Sequence, residues 1–236
     1  MPLTGRDLPE LERQAGALAD APVDVVEWRV DLFAPFTAGG GTDPSPAVEG
    51  LRGLAALLPE APLLATFRTT AEGGAAALED DGYVALVSAL AGSGLADAVD
   101  VEYRHPRADR AIAAAHAHGT PVVASNHDFD ATPPEAEIVA RLAAMEAAGA
   151  DVAKIAVMPR SAVDVVTLLA ATERRHRDAG IPLVTMAMGA LGAVTRVGGG
   201  VFGSAATFAT VSAASAPGQL PAAGVRAALD LLGGPA

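Results

Sequence analysis

Among sixteen basic residues the chain carries a single lysine, Lys154; the rest are arginines. Lys154 sits in the apolar run Asp-Val-Ala-Lys-Ile-Ala-Val, residues 151–157. Arginine can replace lysine in most surface roles, but its guanidinium stays protonated and cannot condense with a carbonyl. Apolar surroundings disfavour an ammonium, and a neutral amine can form an imine with a ketone or aldehyde. Lys154 is therefore the first candidate nucleophile. Compositional drift towards arginine explains the rarity of lysine. It does not explain why the survivor falls in a run that reads as a buried strand, where charge is uncommon unless paired or functional.

An imine enzyme that takes and returns a proton near neutral pH needs a group that titrates there, and His127, in Ser-Asn-His-Asp-Phe, has the right type. Taken alone, a histidine after an apolar run is more often a structural residue; its company points to chemistry. The other histidines lack that company: His105 precedes a proline, and His116, His118 and His176 fall in helical stretches. Charges spaced by two supply the third element. In Val-Val-Glu-Trp-Arg-Val-Asp-Leu-Phe, Glu27, Arg29 and Asp31 share one face of a strand while Val26, Trp28 and Val30 share the other. Arg68 in Ala-Thr-Phe-Arg-Thr repeats the pattern, as do Asp100 and Glu102 in Val-Asp-Val-Glu-Tyr. Charges that face a packed interior must pair with one another. Ion pairs that only close a barrel would explain any one of these residues; recurrence on five strands favours a polar site. Beyond Arg196, a Gly-rich stretch could grip a carboxylate or phosphate, or serve as a flexible connection.

The elements that must position these groups follow from periodicity. Val25–Phe33, Leu63–Thr69, Val99–Tyr103, Val122–His127, Val152–Met158 and Leu183–Met188 read as strands, with a further strand in Val201–Thr210 and the end of another at Met1–Thr4. Leu8–Ala19, Ala47–Leu58, Tyr83–Ala91, Arg107–Ala117, Ala136–Ala147 and Val163–His176 carry helical apolar spacing. The alternation predicts a (β/α)8 TIM barrel with a truncated first strand, one domain over residues 1–236; an open doubly wound sheet is the alternative. Ala34–Pro46 reads as a long connection within that domain. In a barrel the C-terminal strand ends carry the chemistry, and the candidate charges fall at or near such ends.

Bulk properties narrow the function. With 236 residues and 51% hydrophobic content the chain can bury a large core. A net charge of -12 with dispersed arginines argues against nucleic-acid or anionic-membrane surfaces. The absence of cysteine excludes thiol catalysis and disulfides. No apolar N-terminal leader and no stretch near ~18 apolar residues is present, so a cytoplasmic protein acting on a small molecule is expected. No metal motif is visible, since His116 and His118 are two apart on a helix and point to different faces.

Taken in order, Glu-Trp-Arg-Val-Asp, Thr-Phe-Arg-Thr with Glu-Gly-Gly, Ser-Asn-His-Asp-Phe, Ala-Lys-Ile-Ala-Val-Met-Pro, Met-Ala-Met-Gly and Val-Phe-Gly-Ser-Ala-Ala-Thr-Phe through Ser-Ala-Pro-Gly-Gln resemble the type I 3-dehydroquinate dehydratases, from about Met1 to Gln219. The resemblance implies a β/α barrel that dehydrates 3-dehydroquinate in the shikimate pathway, without a cofactor and commonly as a homodimer. It implies Lys154 as the Schiff-base lysine, His127 as general acid/base and Glu72 as the residue orienting or charging that histidine. Glu27, Arg29 and Arg68 would hold substrate hydroxyls and the interior charge network. Arg196, Ser215 and Gln219 would bind the carboxylate and ring hydroxyls, and Met186, Met188, Phe129 and Phe208 would wall the pocket. A class I aldolase or transaldolase would also use a barrel lysine, but with a phosphate-binding loop; a non-catalytic ligand-binding relative would have no need to fill every catalytic position.

Overall fold

Alternation along the first long strand decides the layering of the N-terminal unit, Met1–Val123. Val26, Trp28 and Val30 are buried with Leu11, Leu51, Leu54, Phe33 and Phe36, each large side chain contributing about 1.5–3 kcal/mol on burial. Glu27 and Arg29 take the opposite face. The computed structural model describes residues 1–211 and 216–233. In chain order this unit runs β1 (Pro2–Leu3), α1 (Leu8–Gly16), β2 (Val26–Arg29), a 3₁₀ turn (Val30–Leu32), α2 (Ala34–Thr37), α3 (Ser45–Leu57), β3 (Leu63–Thr66), a 3₁₀ turn (Thr70–Glu72), α4 (Asp80–Gly92), β4 (Ala98–Glu102) and α5 (Ala108–Ala117). Strand β5 (Val122–Asp128) begins here and ends in the C-terminal unit.

The strands pair in parallel, β1 on β2, β2 on β3 and β3 on β4. The register sets Arg29 opposite Thr66 and Thr66 opposite Asp100, so one polar row crosses three strands. The helices cover the apolar face: Leu63, Ala65, Phe67, Val99 and Val101 pack with Tyr83, Leu86, Leu90, Ile112 and Ala115. Two expectations are adjusted. The strand predicted to Phe33 stops at Arg29 and tightens into the 3₁₀ turn, which turns the buried Asp31 towards backbone donors. The connection 34–46 contains α2 and the start of α3.

The C-terminal unit, Ala124–Ala236, continues with α6 (Glu135–Ala147), β6 (Val152–Val157), α7 (Ala162–His176), β7 (Leu183–Ala187), α8 (Ala193–Gly198), a 3₁₀ turn (Gly199–Phe202), β8 (Ala209–Thr210), β9 (Leu220–Pro221) and α9 (Ala222–Gly233). Parallel pairing of β6 with β7 sets Lys154 against Val184 and Ala156 against Met186. Helix α7 starts with a reciprocal cap in which Ser161 and Asp164 satisfy each other's backbone N–H groups. The parallel strand–helix succession is that of the β/α barrel, with its first strand reduced to two residues.

The strand expected within Val201–Thr210 is not continuous. Gly198, Gly199 and Gly200 lie in helical turns, and Gly203 turns the chain with φ 96°. Pairing with β7 is reduced to a bridge at Ser204, supported by Thr185 N–H donating to Ser204 Oγ at 3.0 Å and Ala205 N–H donating to Leu183 O at 2.7 Å. Residues 209–210 pair instead with Leu220–Pro221 as β8 and β9.

Candidate functional site

In the N-terminal unit the polar strand face is a dense ion network. Arg29 donates from Nε to Asp31 Oδ1 at 2.7 Å and from Nη2 to Oδ2 at 2.8 Å. Asp31 also accepts from Arg68 N–H at 3.3 Å and Ala75 N–H at 3.0 Å. The Arg68 guanidinium meets Asp100 at 2.7 Å, Glu102 at 3.2 Å and Glu72 at 3.5 Å. Glu102 in turn accepts from Thr69 N–H and Thr69 Oγ1, both at 2.7 Å. Thr66 donates to Glu27 at 3.0 Å. Burial alone would lower the Arg68 pKa, but Asp100, Glu102 and Glu72 outweigh it and raise it above its ordinary value. Arg29 is shifted the same way, Asp31 outweighing the burial.

Side-chain exposure separates the two arginines: 4% for Arg68 and 15% for Arg29. Arg68 is committed to the network, whereas Arg29 keeps an open edge. Glu27, Asp31, Glu72, Asp100 and Glu102 outnumber Arg29 and Arg68, so this face repels a ligand carboxylate and suits hydroxyls. Glu72 is held on the turn 70–76, which closes by a bridge of Thr69 to Ala76 and by Gly74 N–H donating to Thr69 O at 2.8 Å. Gly73 adopts φ 81°, and any side chain at Gly74 would collide with the Arg68 carbonyl. The two glycines of Glu-Gly-Gly are thus required by backbone geometry.

Tyr83 is the contribution that residue types alone do not reveal. Tyr83, fully buried, accepts the Glu102 N–H at 2.9 Å and stacks on His105 with centroids 4.0 Å apart. Burial, then Glu102 and Asp100, push its phenol well above the usual range, so it remains a neutral prop beneath Glu102. Apart from the aromatic type itself, no spacing signal in the sequence marks it.

In the C-terminal unit Lys154 is buried, 4% exposed. Ala153, Ile155 and Val157 point to the helix side and are fully covered; Lys154 and Ala156 share the other face. There Ala156, Val184, Met186 and Met188 form an apolar cluster joined by Met158 and Phe208. The Lys154 amine lies 4.3 Å from the centre of the Phe208 ring. The predicted wall residues Met186, Met188 and Phe208 are therefore brought around the lysine. Phe129 is not among them: it is 40% exposed and stacks beside His127, ring centres 6.4 Å apart. His127, partly exposed, sits near the end of β5, next to β6 in strand order.

Arg196 is a buried cation of another kind. Thr195 anchors the first turn of α8 to the end of β7, accepting from Ala187 N–H at 3.0 Å and donating to Gly192 O at 2.7 Å. This fixes Arg196, which is 1% exposed. Its Nη1 donates to Phe208 O at 3.2 Å and lies 3.7 Å from Met186 Sδ; its Nη2 donates to Pro217 O at 3.2 Å. Nε has no hydrogen-bond partner among the described residues, and burial lowers the guanidinium pKa. A buried guanidinium resting on carbonyls and a thioether, with Nε unpartnered among the described residues, keeps donor capacity suited to an anion. Residues 217–218 approach β7 through Gly189 N–H donating to Pro217 O at 3.1 Å, which brings the half-buried Gln219 to the same region. Ser215 lies outside the described residues. Among the described residues no group of His, Asp or Glu is arranged to hold a metal, and no helix is long and apolar enough to cross a membrane.

Comparison with known proteins supplies an independent reading. The family model for type I 3-dehydroquinase matches residues 1–235. A 3-dehydroquinate dehydratase of Listeria monocytogenes is 47% identical over 234 residues, covering 98% of this chain and 91% of that protein. The crystal structure of 3-dehydroquinate dehydratase from Geobacillus kaustophilus matches with a TM-score of 0.92 at 38% identity, over 98% of this chain and 89% of that one. The type I 3-dehydroquinate dehydratase of Clostridium difficile, solved with covalent modified comenic acid, matches with a TM-score of 0.91 at 38% identity, over 98% and 90% of the two chains.

Proposed function

Because this chain belongs to the type I 3-dehydroquinase family and is a hydro-lyase of that family, we propose that it converts 3-dehydroquinate to 3-dehydroshikimate through an imine on Lys154. The carrying observation is the chain's sole lysine, buried on the inward face of β6 within an apolar wall. The neutral amine attacks the substrate ketone, and with one proton taken up from solvent water leaves and a protonated imine remains; that proton is given back when the imine is hydrolysed. A proton beside a plain ketone is too weakly acidic for imidazole; beside a protonated imine its removal leaves a neutral enamine. His127 takes that proton and returns it to the departing hydroxyl, which leaves as water. A second water hydrolyses the imine and frees Lys154. General acid/base help of this kind is worth about 10² to 10⁴ in rate.

In this reading Glu72 orients His127, and its tight Gly-Gly turn explains how a glutamate can be held for that role. Arg196 binds the substrate carboxylate: it is a buried arginine whose described partners are carbonyl oxygens and a thioether rather than acids. Arg29, with its open edge, contacts ring hydroxyls together with Glu27, Ser215 and Gln219, while Arg68 holds the ion network. Met186, Met188 and Phe208 exclude water from the imine, and Phe129 caps the histidine side. No cofactor is required by this chemistry. We place the enzyme in the cytoplasm as a homodimer, a state that light scattering at micromolar concentration checks directly. Lys154→Ala tests the function itself: turnover should vanish while calorimetry still registers substrate binding, and retained turnover would remove the imine mechanism.

A further inference from the structure

His127 is flanked in β5 by Asn126 and Asp128, and residues one apart on a strand project to opposite faces. Asn126 and Asp128 therefore share the face that His127 does not use. One side chain reaches both. Arg141, on α6 and 8% exposed, donates from Nη1 to Asn126 Oδ1 at 3.0 Å and lies 3.5 Å from Asp128 Oδ2. Its Nε donates to Glu137, one turn back, at 2.8 Å, which fixes the guanidinium on its own helix. The other oxygen of Asp128 accepts from Asp130 N–H at 3.2 Å and Ala131 N–H at 3.0 Å. The turn made in this way is tied to the segment beyond Lys154: Met158 N–H donates to Ala131 O at 3.2 Å, and Arg160 Nε to Asp130 O at 2.9 Å.

We propose that Arg141 is a positioning residue for the proton-transfer step, holding both chain neighbours of His127 from behind so that the imidazole keeps its line to the substrate C–H bond. The inference rests on the reading of His127 as the acid/base. A buried guanidinium is costly to desolvate, and an apolar side chain would satisfy a helix–strand contact at less cost. Apart from Glu137 on its own helix, the described partners of Arg141 are instead the two residues that bracket the histidine. A displacement near 1 Å of a reacting group can cost about 10²-fold in rate, so the hold bears on turnover more than on binding.

The test uses Arg141→Met, which keeps length and apolar volume but removes both holds, and Arg141→Lys, which restores charge with a single point of contact. Enzyme sites are counted by borohydride trapping with 3-dehydroquinate, because the amine of Lys154 is untouched. For Arg141→Met, kcat per trappable site should fall by about 10- to 100-fold with KM within about threefold. The primary deuterium isotope effect on kcat should rise, and Arg141→Lys should recover part of the loss. Unchanged kcat per trappable site overturns the proposal, since a purely structural arginine would lower only the number of sites. Should Arg141→Met fail to fold, Asp128→Asn weakens one hold and should lower kcat per site several-fold; no change there overturns it equally. Parent enzyme that turns over substrate without any adduct removes the imine chemistry and leaves the Arg141 effect on kcat to be judged alone.

Discussion

Arg196→Met separates recognition of the substrate carboxylate from support of the fold. Two charge-assisted hydrogen bonds from a guanidinium to a carboxylate are worth about 1.5–3 kcal/mol each. Losing both costs about 3–6 kcal/mol, and at about 1.4 kcal/mol per decade kcat/KM should fall by about 10² to 10⁴. The carboxylate keeps its charge throughout the reaction, so the interaction is equal in ground and transition states and the loss should appear in KM. Stability should move the other way or not at all. Arg196 is buried with burial already lowering its pKa, and its present partners are two carbonyls and a thioether. Removing an uncompensated buried cation offsets the lost bonds, so urea unfolding of the free enzyme should stay within about 1 kcal/mol of the parent or rise. Steady-state kinetics following the conjugated enone of the product supply the readout. A KM within threefold of the parent in a folded variant, or a fall confined to kcat, would show that Arg196 only holds the loop carrying Phe208.

Asp31→Asn halves the acceptor capacity that joins Arg29 to the backbone of Arg68 and Ala75. Breaking one side of such a buried pair costs on the order of 3 kcal/mol, so urea unfolding should register a loss of that size; less than 1 kcal/mol would mean that water replaces the carboxylate. Gly74→Ala forces the turn away from the Arg68 carbonyl, and kcat should drop at least tenfold while circular dichroism is unchanged; full activity would detach Glu72 from the mechanism. His105 has a pKa lowered chiefly by burial, and its Nδ1 accepts the Arg107 N–H at 3.1 Å, which favours the neutral ring. Below the ordinary imidazole pKa of about 6.5 the unfolded chain therefore binds the proton first, and stability falls as pH drops through the window down to the lowered value. His105→Phe keeps a ring on Tyr83 and should flatten that acid limb; an unaltered limb would assign it to other groups.

The parts of this protein that could be read from sequence are those governed by local periodicity. Alternation in Glu27–Asp31 placed Trp28 in the core and Glu27 and Arg29 on the polar face, and the register confirms both. The apolar run around Lys154 likewise announced a buried amine. What remained hidden depends on contacts across elements. Tyr83 beneath Glu102 and Arg141 behind His127 reach their partners from helices, and nothing in their helical spacing distinguishes them from ordinary inward residues. Asp100 and Glu102 are legible as polar strand residues, but their joint grip on Arg68 depends on the register of β3 on β4. The Gly-rich stretch after Arg196 reads as an anion-binding loop or a flexible connection, with a strand expected over 201–210; instead residues 198–202 form helical turns, and Ser204 takes the Thr185 N–H on its side-chain oxygen. Phe129 is exposed and stacks beside His127, a placement that its motif position does not specify.

The most direct test is borohydride reduction of the protein during turnover of 3-dehydroquinate, followed by intact mass and peptide mapping. With a single lysine in the chain, the alternatives for a stable reduced imine are only Lys154 and the N-terminal amine. The account predicts one substrate-derived adduct per chain on the peptide containing Lys154, and none when Lys154 is replaced by alanine. A folded enzyme that turns over 3-dehydroquinate with no adduct at Lys154, or with the same adduct in Lys154→Ala, would contradict it.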